Sequence, residues 1–269
     1  MNEKSKFNKI CEDIKSIKIQ GARNVAKAGL NAYYLNPSIS SKKKLLSLRS
    51  TEPMLKHVLD LTNKFSRKEI LKHFDVAQGK INEHTIRLIK SNEIIYTHCH
   101  STNVSNALIY AKKKGKDFEV YNTETRPLFQ GRKTAKELKN ANIDVTMFID
   151  SAMDIALSEK QNTKKVNKIF IGADALTRNG IVNKVGSGAI AKLAMINKIP
   201  LYIIADSWKY TSNKVPMENR KLNEIWDKAP KNIKIKNPSF EFVHKKYIKK
   251  IITEHGALSY NEFLKKVKG

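Results

Sequence analysis

The strongest constraint on the fold is an alternation, after residue 90, of short apolar runs with stretches of helical character. The apolar runs span 94–98, 118–124, 145–150, 168–174 and 201–206. Strands that alternate with helical connections of about ten or more residues form βαβ units. The pattern therefore predicts an open, mostly parallel sheet covered by helices, to which 248–256 could add a further strand.

Before residue 90 the periodicity is helical. Apolar residues recur at three- and four-residue spacing, at 10, 14 and 17 and again at 55, 58, 59 and 61. Pro37, in the segment NPSISSKKK, predicts a connection between two helices. We expect an α/β protein with a helical N-terminal domain, residues 1–90, followed by a Rossmann-like parallel-sheet domain, residues 91–269.

The net charge of +26 raises the question of nucleic-acid binding. Most of the 51 basic residues are lysines spread along all 269 positions, and few aromatic residues lie among them. Stacking platforms for single strands need such aromatic residues. The composition favours a solvated basic surface over a nucleic-acid groove, and such a surface would attract a phosphorylated small substrate.

We expect neither a membrane protein nor a protein stabilised by disulfides. No apolar run approaches the roughly 20 residues of a membrane span, and the charged N-terminal segment lacks the apolar region of a secretory signal. The two cysteines, Cys11 and Cys99, form neither a disulfide framework nor a CxxC metal site. We expect a cytoplasmic protein in a reducing compartment, without a bound metal.

Polar and reactive side chains follow the predicted strands. The first strand ends at HCHS (98–101) and the second at TETR (123–126), while Asp150, Asp174 and Asp206 close three others. Ligands of such sheets bind outside the carboxyl ends of the strands. Side chains that can act as nucleophile, acid or base are thus expected together at one edge of the sheet, and this predicts an enzyme.

Cys99 is the first candidate catalytic residue. It lies between a strand and a helix, where a helix N-terminus can lower the pKa of a thiol, and His98 and His100 flank it. The alternative is a small buried hydrophobic residue, which is the interpretation we give to Cys11.

Asp174 is the second candidate, because it closes the apolar run KIFIGAD. Partial burial there would raise the pKa of its carboxyl and suit an acid that holds its proton near neutral pH. A helix N-cap or turn aspartate is the alternative. Asp150 and Asp206 have the same ambiguity and less support.

Two glycine-containing segments are candidate phosphate contacts. GSGAIA (186–191) matches a GxGxxA pattern, but it comes after the fourth strand and after NGIVNK (179–184), which we interpret as a loop. A helix start that binds one phosphate, or that packs closely, fits better than a dinucleotide site. Gly21, Ala22 and Arg23 form the other candidate, with a helix-packing glycine as the alternative.

Beyond these separate features, a series of short segments resembles one known family. THCHS, TETRPLFQG, TAKEL, VTMFIDSA, GADALTRNG, NKVG and SWKY follow in order the signature stretches of the family of translation initiation factor 2B regulatory subunits and sugar-phosphate isomerases. The resemblance runs from about residue 14, through RSTEPML, to PKNIKIKNPSFEFV, and so covers nearly the whole chain.

The resemblance implies functional residues. The catalytic branches of the family use a cysteine and an aspartate, which correspond to Cys99 and Asp174. The implied substrate-binding positions, with cationic or backbone donors for two phosphates, are Gly21, Ala22, Arg23, Arg49, Ser101, Thr102, Asn103, Asn183, Lys184 and Lys209. No metal or redox cofactor is implied.

Within the family, the match is closest to the archaeal ribose 1,5-bisphosphate isomerase branch, because of THCHS and the PKNIxxxNPxF ending. The implied reaction converts α-D-ribose 1,5-bisphosphate to ribulose 1,5-bisphosphate. Methylthioribose-1-phosphate isomerase and a non-catalytic regulatory subunit are the alternatives. The resemblance also implies a homo-oligomer, a dimer or hexamer, with AMP as a possible activator. One departure is Gln20, where the family usually has an arginine.

Overall fold

The computed structural model describes residues 2–49 and 51–268. Helices come first in this part of the chain, and their apolar faces form two adjoining cores around α2. Helix α2 packs between α1 and α4. Asn2, Ser38 and Ser66 accept backbone N–H groups at the starts of α1, α3 and α5, as N-cap residues do. The bounds are α1 (Glu3–Lys15), α2 (Ala22–Leu35), α3 (Ile39–Leu48), α4 (Pro53–Leu61) and α5 (Arg67–Ile86).

A seven-stranded sheet follows, in the order β10-β9-β7-β4-β1-β2-β3. All its neighbouring strands are parallel except β9 and β10. Buried isoleucines and valines on both faces pack against the helices. The strands are β1 (Glu93–Thr97), β2 (Phe118–Thr123), β3 (Asp144–Phe148), β4 (Val166–Ile171), β7 (Leu201–Ile204), β9 (Lys250–Thr253) and β10 (Gly256–Leu258). The helices are α6 (Thr102–Lys113), α7 (Gln130–Asn140), α8 (Met153–Leu157), α9 (Ser187–Ile196) and α10 (Tyr260–Lys268).

The predicted α/β fold class, with helices first and a mostly parallel sheet after them, is confirmed. The five predicted apolar runs coincide with β1, β2, β3, β4 and β7, and 248–256 contains β9. Among the residues that the structure describes, no helix is long and apolar enough to cross a membrane.

A second, three-stranded antiparallel sheet was not predicted. It consists of β5 (Ala175–Leu176), β6 (Gly180–Lys184) and β8 (Phe240–His244). The interpretation of 179–184 as a loop is therefore wrong. Its Asn-Gly pair instead belongs to a hairpin turn, closed by a bond from the Thr177 N–H to the Gly180 carbonyl, and every residue of β6 is buried.

Candidate active site

A cavity of about 480 Å³ opens at the carboxyl ends of β1 and β4, where the N-terminal helices meet the sheet. That volume is within the usual range for small-molecule sites. All twelve site residues inferred from the sequence line it: Gly21, Ala22, Arg23, Arg49, Cys99, Ser101, Thr102, Asn103, Asp174, Asn183, Lys184 and Lys209.

The cavity lies where the direction of the sheet reverses. From β1 the chain proceeds outward to β2 and β3, whereas from β4 it proceeds the other way to β7 and β9. Cys99 follows β1 and Asp174 follows β4, and these two strands are neighbours. Open α/β sheets bind ligands at such a switch point.

The backbone of Cys99 is held on both sides. Its N–H donates to Thr125 Oγ1 (3.0 Å), and its carbonyl accepts from Thr134 Oγ1 (2.9 Å). Its φ of 65° is in the left-handed region, which a non-glycine residue rarely adopts. These contacts fix an unusual turn that keeps Cys99 at the cavity wall.

The expectation that a helix N-terminus lowers the pKa of Cys99 is wrong. Burial is the dominant effect and raises the pKa of this thiol to about 11, although the positive charge of Lys184 acts in the opposite direction. The first turn of α6 is capped instead by the Ser101 hydroxyl, which accepts from the Val104 N–H. Cys99 is therefore a thiol at neutral pH.

The histidines beside Cys99 are neutral and bonded to other groups. His98 is buried, with Nε2 2.9 Å from the Val185 carbonyl and Nδ1 2.5 Å from Thr123 Oγ1, so both ring nitrogens are engaged. His100 Nδ1 lies 3.1 Å from Thr134 Oγ1. Burial lowers the pKa of both rings, that of His100 to about 4, and keeps them neutral.

Asp174 lies in the turn between β4 and β5, and its N–H donates to the Val182 carbonyl. It does not cap a helix, since the next element is a strand. Burial raises the pKa of its carboxyl, as we expected, against the lowering effect of Lys209 and Lys184. Lys209 Nζ is itself buried and donates to the Ala173 carbonyl at 2.6 Å.

Cations dominate the wall of the cavity. Basic side chains outnumber acidic ones seven to three: Lys18, Arg23, Arg49, Lys133, Lys184, Lys209 and Arg220 against Glu52, Asp174 and Glu218. Arg49 is the most distinctive of them, because its side chain is only 8% exposed, and Nε and Nη1 are buried without a hydrogen-bond partner in the described part of the chain. A guanidinium in the wall of a cavity suits a phosphate.

The first turn of α2 also faces the cavity. Gly21 has a φ of 83°, which favours glycine, and no side chain caps this helix start. Its open N–H groups and its dipole favour an anion. Arg23, in the same turn, is paired with Asp75 at 2.6 Å.

At the other glycine-rich segment, a carboxylate from β8 occupies the position proposed for a phosphate. Glu241 Oε1 accepts from the N–H groups of Gly186 (2.6 Å) and Gly188 (2.9 Å), so the start of α9 is satisfied by the chain itself. Of the two alternatives for GSGAIA, close packing fits and phosphate binding does not.

The remaining polar residues are held by neighbours. Asn103 donates to Gln78 Oε1 at 2.9 Å, and Asn183 to Ser187 Oγ at 2.8 Å. Arg126 is not among the lining residues and stacks over the Phe129 ring instead.

The sequence analysis did not single out several lining residues, among them Glu52, Lys133, Glu218 and Arg220. Glu52 lies within RSTEPML, which carried the family resemblance, but no spacing rule indicates that its side chain faces the cavity. Glu218 and Arg220 lie in an irregular segment without periodicity.

One cluster of metal-capable side chains lies outside the cavity lining. The ligand atoms of His73, Asp206 and Glu254 lie within 4.8 Å of one another. Their contacts account for the cluster, since His73 Nε2 lies 3.1 Å from Asp206 Oδ1 and Glu254 accepts from the Ser207 N–H. His73 also stacks on the Trp208 ring at 3.4 Å. The cluster joins α5 to the end of β7.

Comparisons with known proteins agree with the sequence signatures. Residues 34–260 match the family described as the Initiation factor 2 subunit family. A ribose 1,5-bisphosphate isomerase of Methanocaldococcus jannaschii is 32% identical over 96% of this chain and 93% of its own length. One of Archaeoglobus fulgidus is 29% identical over 92% and 88%. The solved structure of the Pyrococcus horikoshii translation initiation factor eIF-2B has a TM-score of 0.82 at 24% identity, covering 94% of this chain and 96% of the other, which shows a shared fold.

Proposed function

Because the chain belongs to the Initiation factor 2 subunit family, in which it is similar to ribose 1,5-bisphosphate isomerases, we propose that it converts α-D-ribose 1,5-bisphosphate to D-ribulose 1,5-bisphosphate. The observation that carries the proposal is the placement of Cys99 and Asp174 after neighbouring strands, in one cavity with an excess of cations. A regulatory subunit without activity needs neither the thiol nor the acid.

The chemistry of the substrate gives each residue a role. In a cyclic sugar 1-phosphate the anomeric oxygen is esterified, so the ring cannot open to a free aldehyde. Cys99 as thiolate removes the proton at C2, a C1=C2 double bond forms, and the C1–O4 bond breaks while Asp174 protonates O4. The product of this step is an enol phosphate that is still bound.

The second half of the reaction restores both groups. The Cys99 thiol returns its proton to C1, and the Asp174 carboxylate accepts the proton of the C2 hydroxyl, which becomes the ketone. No electrons or atoms enter or leave. One thiol and one carboxyl are therefore sufficient, because each regains its initial protonation state at the end of the reaction.

The remaining lining residues bind the two phosphates in this proposal. Arg49 supplies a positive charge in the cavity wall, and the start of α2 supplies open backbone N–H groups. Lys184 and Lys209 lie close enough to Cys99 and Asp174 respectively to influence their pKa values. Gln20 lines the same cavity without a charge, where the family usually has an arginine.

The setting of the enzyme is part of the proposal. Two unpaired cysteines fit a reducing compartment, for which we propose the cytoplasm. The family resemblance predicts a homo-oligomer, a dimer or hexamer, which light scattering measures. It also predicts AMP as a possible activator, so the rate is to be compared with and without AMP.

A coupled assay tests the function directly. The purified chain is incubated with α-ribose 1,5-bisphosphate, and ribulose 1,5-bisphosphate is detected through a carboxylase. We expect turnover in the wild type, loss in Cys99→Ala and Asp174→Asn, and normal turnover in the matched control Cys11→Ala. A wild-type chain without activity on this substrate, with AMP or without, contradicts the proposal. Methylthioribose 1-phosphate is then the next substrate, and inactivity on both favours the regulatory subunit.

A further inference from the structure

His100 lines the cavity and has no role in the mechanism above. It lies between Cys99 and Ser101, and its side chain is 14% exposed. Burial lowers the pKa of this ring to about 4, so the imidazole is neutral at neutral pH. A neutral imidazole carries one proton, which makes one ring nitrogen a hydrogen-bond donor and the other an acceptor. The position of that proton therefore determines what His100 can bind.

The contacts of Thr134 assign the proton. Thr134 Oγ1 donates its single proton to the Cys99 carbonyl at 2.9 Å, because a carbonyl oxygen can only accept. The same hydroxyl oxygen lies 3.1 Å from His100 Nδ1, and toward this nitrogen it can only accept. Glu137 Oε2, which lies 3.7 Å from Nδ1, also favours a proton there. The hydrogen-bond network thus assigns the proton of the neutral ring to Nδ1.

The other ring nitrogen, Nε2, is consequently an acceptor. It has no hydrogen-bond partner in the described part of the chain, and it is not one of the buried unpartnered atoms there, so it is open to solvent. Thr134 and Glu137 both belong to α7, so Nδ1 is turned toward that helix. Because His100 lines the cavity, Nε2 is the nitrogen that remains for a ligand.

Hydrogen-bond donors predominate in the cavity wall. Basic side chains outnumber acidic ones seven to three, and two of the three acids, Glu52 and Glu218, pair with Arg49. Cations and N–H groups suit phosphates, whose oxygens accept hydrogen bonds. A sugar hydroxyl, in contrast, has a proton to donate. A neutral nitrogen that can only accept therefore suits a hydroxyl and not a phosphate.

We propose that His100 is a specificity-determining residue that accepts a hydrogen bond at Nε2 from the 3-hydroxyl of the sugar. The inference rests on the proposed function and deepens it. In the proposed mechanism the 2-hydroxyl gives its proton to Asp174, so the 3-hydroxyl is the remaining hydroxyl donor of ribose 1,5-bisphosphate. A site that bonds a substrate hydroxyl discriminates against analogues that lack this group.

Two substitutions separate this role from a structural one. The amide of asparagine reaches the position of Nδ1, so His100→Asn keeps a donor for Thr134 but removes the acceptor from the cavity. The amide of glutamine reaches the position of Nε2, so His100→Gln keeps an acceptor in the cavity but removes the donor to Thr134. Each variant is thus the matched control of the other.

The test measures kcat/KM of the wild type and both variants on ribose 1,5-bisphosphate and on its 3-deoxy analogue. The wild type and His100→Gln should prefer the substrate with the 3-hydroxyl about tenfold. His100→Asn should lose about tenfold on this substrate and should use both sugars at similar rates. The opposite order, with His100→Asn active and His100→Gln impaired, overturns the inference, because a structural role through Thr134 gives that result. An unchanged preference in His100→Asn overturns it as well.

Nitrogen-15 NMR of the wild type covers the case in which neither variant folds. Protonated and unprotonated imidazole nitrogens have well-separated resonances, so the spectrum gives the tautomer of the His100 ring directly. We expect a proton on Nδ1 and none on Nε2 at pH 7. Ribulose 1,5-bisphosphate, which retains the 3-hydroxyl, should shift the Nε2 resonance. A proton on Nε2, or an Nε2 resonance unchanged at saturation, overturns the inference.

The failure of the inference differs from the failure of the proposed function. A wild type without turnover contradicts the function, and with it the bound sugar. An active wild type with a proton on Nε2, or with a preference for the 3-hydroxyl that does not depend on residue 100, overturns the role of His100 alone.

Discussion

Gly172 and Ser101 pack so closely that residue 172 has no room for a side chain. A Cβ on Gly172 would lie 2.5 Å from Ser101 Oγ and 2.7 Å from Ser101 Cβ. Gly172 follows β4 and Ser101 caps α6 after β1, so this contact joins the two strand ends that carry Asp174 and Cys99. The absence of a side chain at one position thus determines the spacing of the proposed catalytic pair.

Gly172→Ala should therefore reduce both stability and activity. The added methyl group forces Ser101 and the start of α6 outward, and such overpacking costs about 1–3 kcal/mol of unfolding free energy. Denaturant unfolding and the coupled assay measure the two effects. The double variant Gly172→Ala with Ser101→Gly restores the space and should regain stability without regaining activity. An unchanged stability in Gly172→Ala contradicts the close contact.

Arg49→Lys should weaken substrate binding more than folding. Lysine keeps the positive charge, but it lacks the planar guanidinium, with its several donors, that Arg49 places in the cavity wall. Loss of one or two charged hydrogen bonds raises KM for the bisphosphate about 10- to 100-fold. Arg178→Lys, at an exposed arginine outside the cavity lining, is the matched control. A KM within about twofold of wild type would exclude Arg49 from phosphate binding.

The elements that were predicted correctly are those with the strongest hydrophobic signal. Four of the five predicted strands, β1, β2, β4 and β7, carry a run of mostly buried residues, and such runs can be found from the sequence pattern alone. The fifth, β3, lies at the edge of the sheet and has no buried residue. The hairpin of β5 and β6 was missed because β5 has only two residues and β6 ends in Asn183 and Lys184, which have a loop-like composition. The division of the chain at residue 90 remains a prediction.

The candidate site was predictable in its residue types but not in its electrostatics. Cys99 and Asp174 could be assigned to strand ends, yet sequence periodicity does not specify that β1 and β4 are neighbours in the sheet. The direction of the pKa shift at Cys99 depends on how much protein surrounds the thiol, which a helix-start pattern does not reveal. Glu52 was missed because the orientation of its side chain follows from the packing of α4 against α2 and against Ser207–Lys209.

Alkylation of Cys99 should be slow at neutral pH and should accelerate with increasing pH. Only the thiolate reacts with iodoacetamide, and a pKa of about 11 predicts a rise of about tenfold per pH unit from 7 to 10. Lys184→Met removes a charge that lowers this pKa, so its alkylation should be slower at each pH. Lys192→Met, at an exposed lysine of α9, should not change the rate. Mass spectrometry in a Cys11→Ser background measures the rates, and a flat rate from pH 7 to 9 would contradict the raised pKa.

Glu241→Gln distinguishes the two interpretations of the glycine-rich segment. If the Glu241 carboxylate is the permanent partner of the Gly186 and Gly188 N–H groups, the neutral amide removes one charged acceptor at the start of α9. The unfolding free energy should then fall by about 1–2 kcal/mol, while KM for the bisphosphate stays within about twofold of wild type. Glu12→Gln, at an exposed glutamate of α1, serves as the matched control and should change neither quantity.

If instead a phosphate displaces the carboxylate, inorganic phosphate would stabilise Glu241→Gln more than wild type in thermal unfolding. In that case KM would change, while the stability without ligand would not. The 2.6 Å contact with Gly186 favours the first outcome, because a charged acceptor supplied by the chain is present at every ligand concentration.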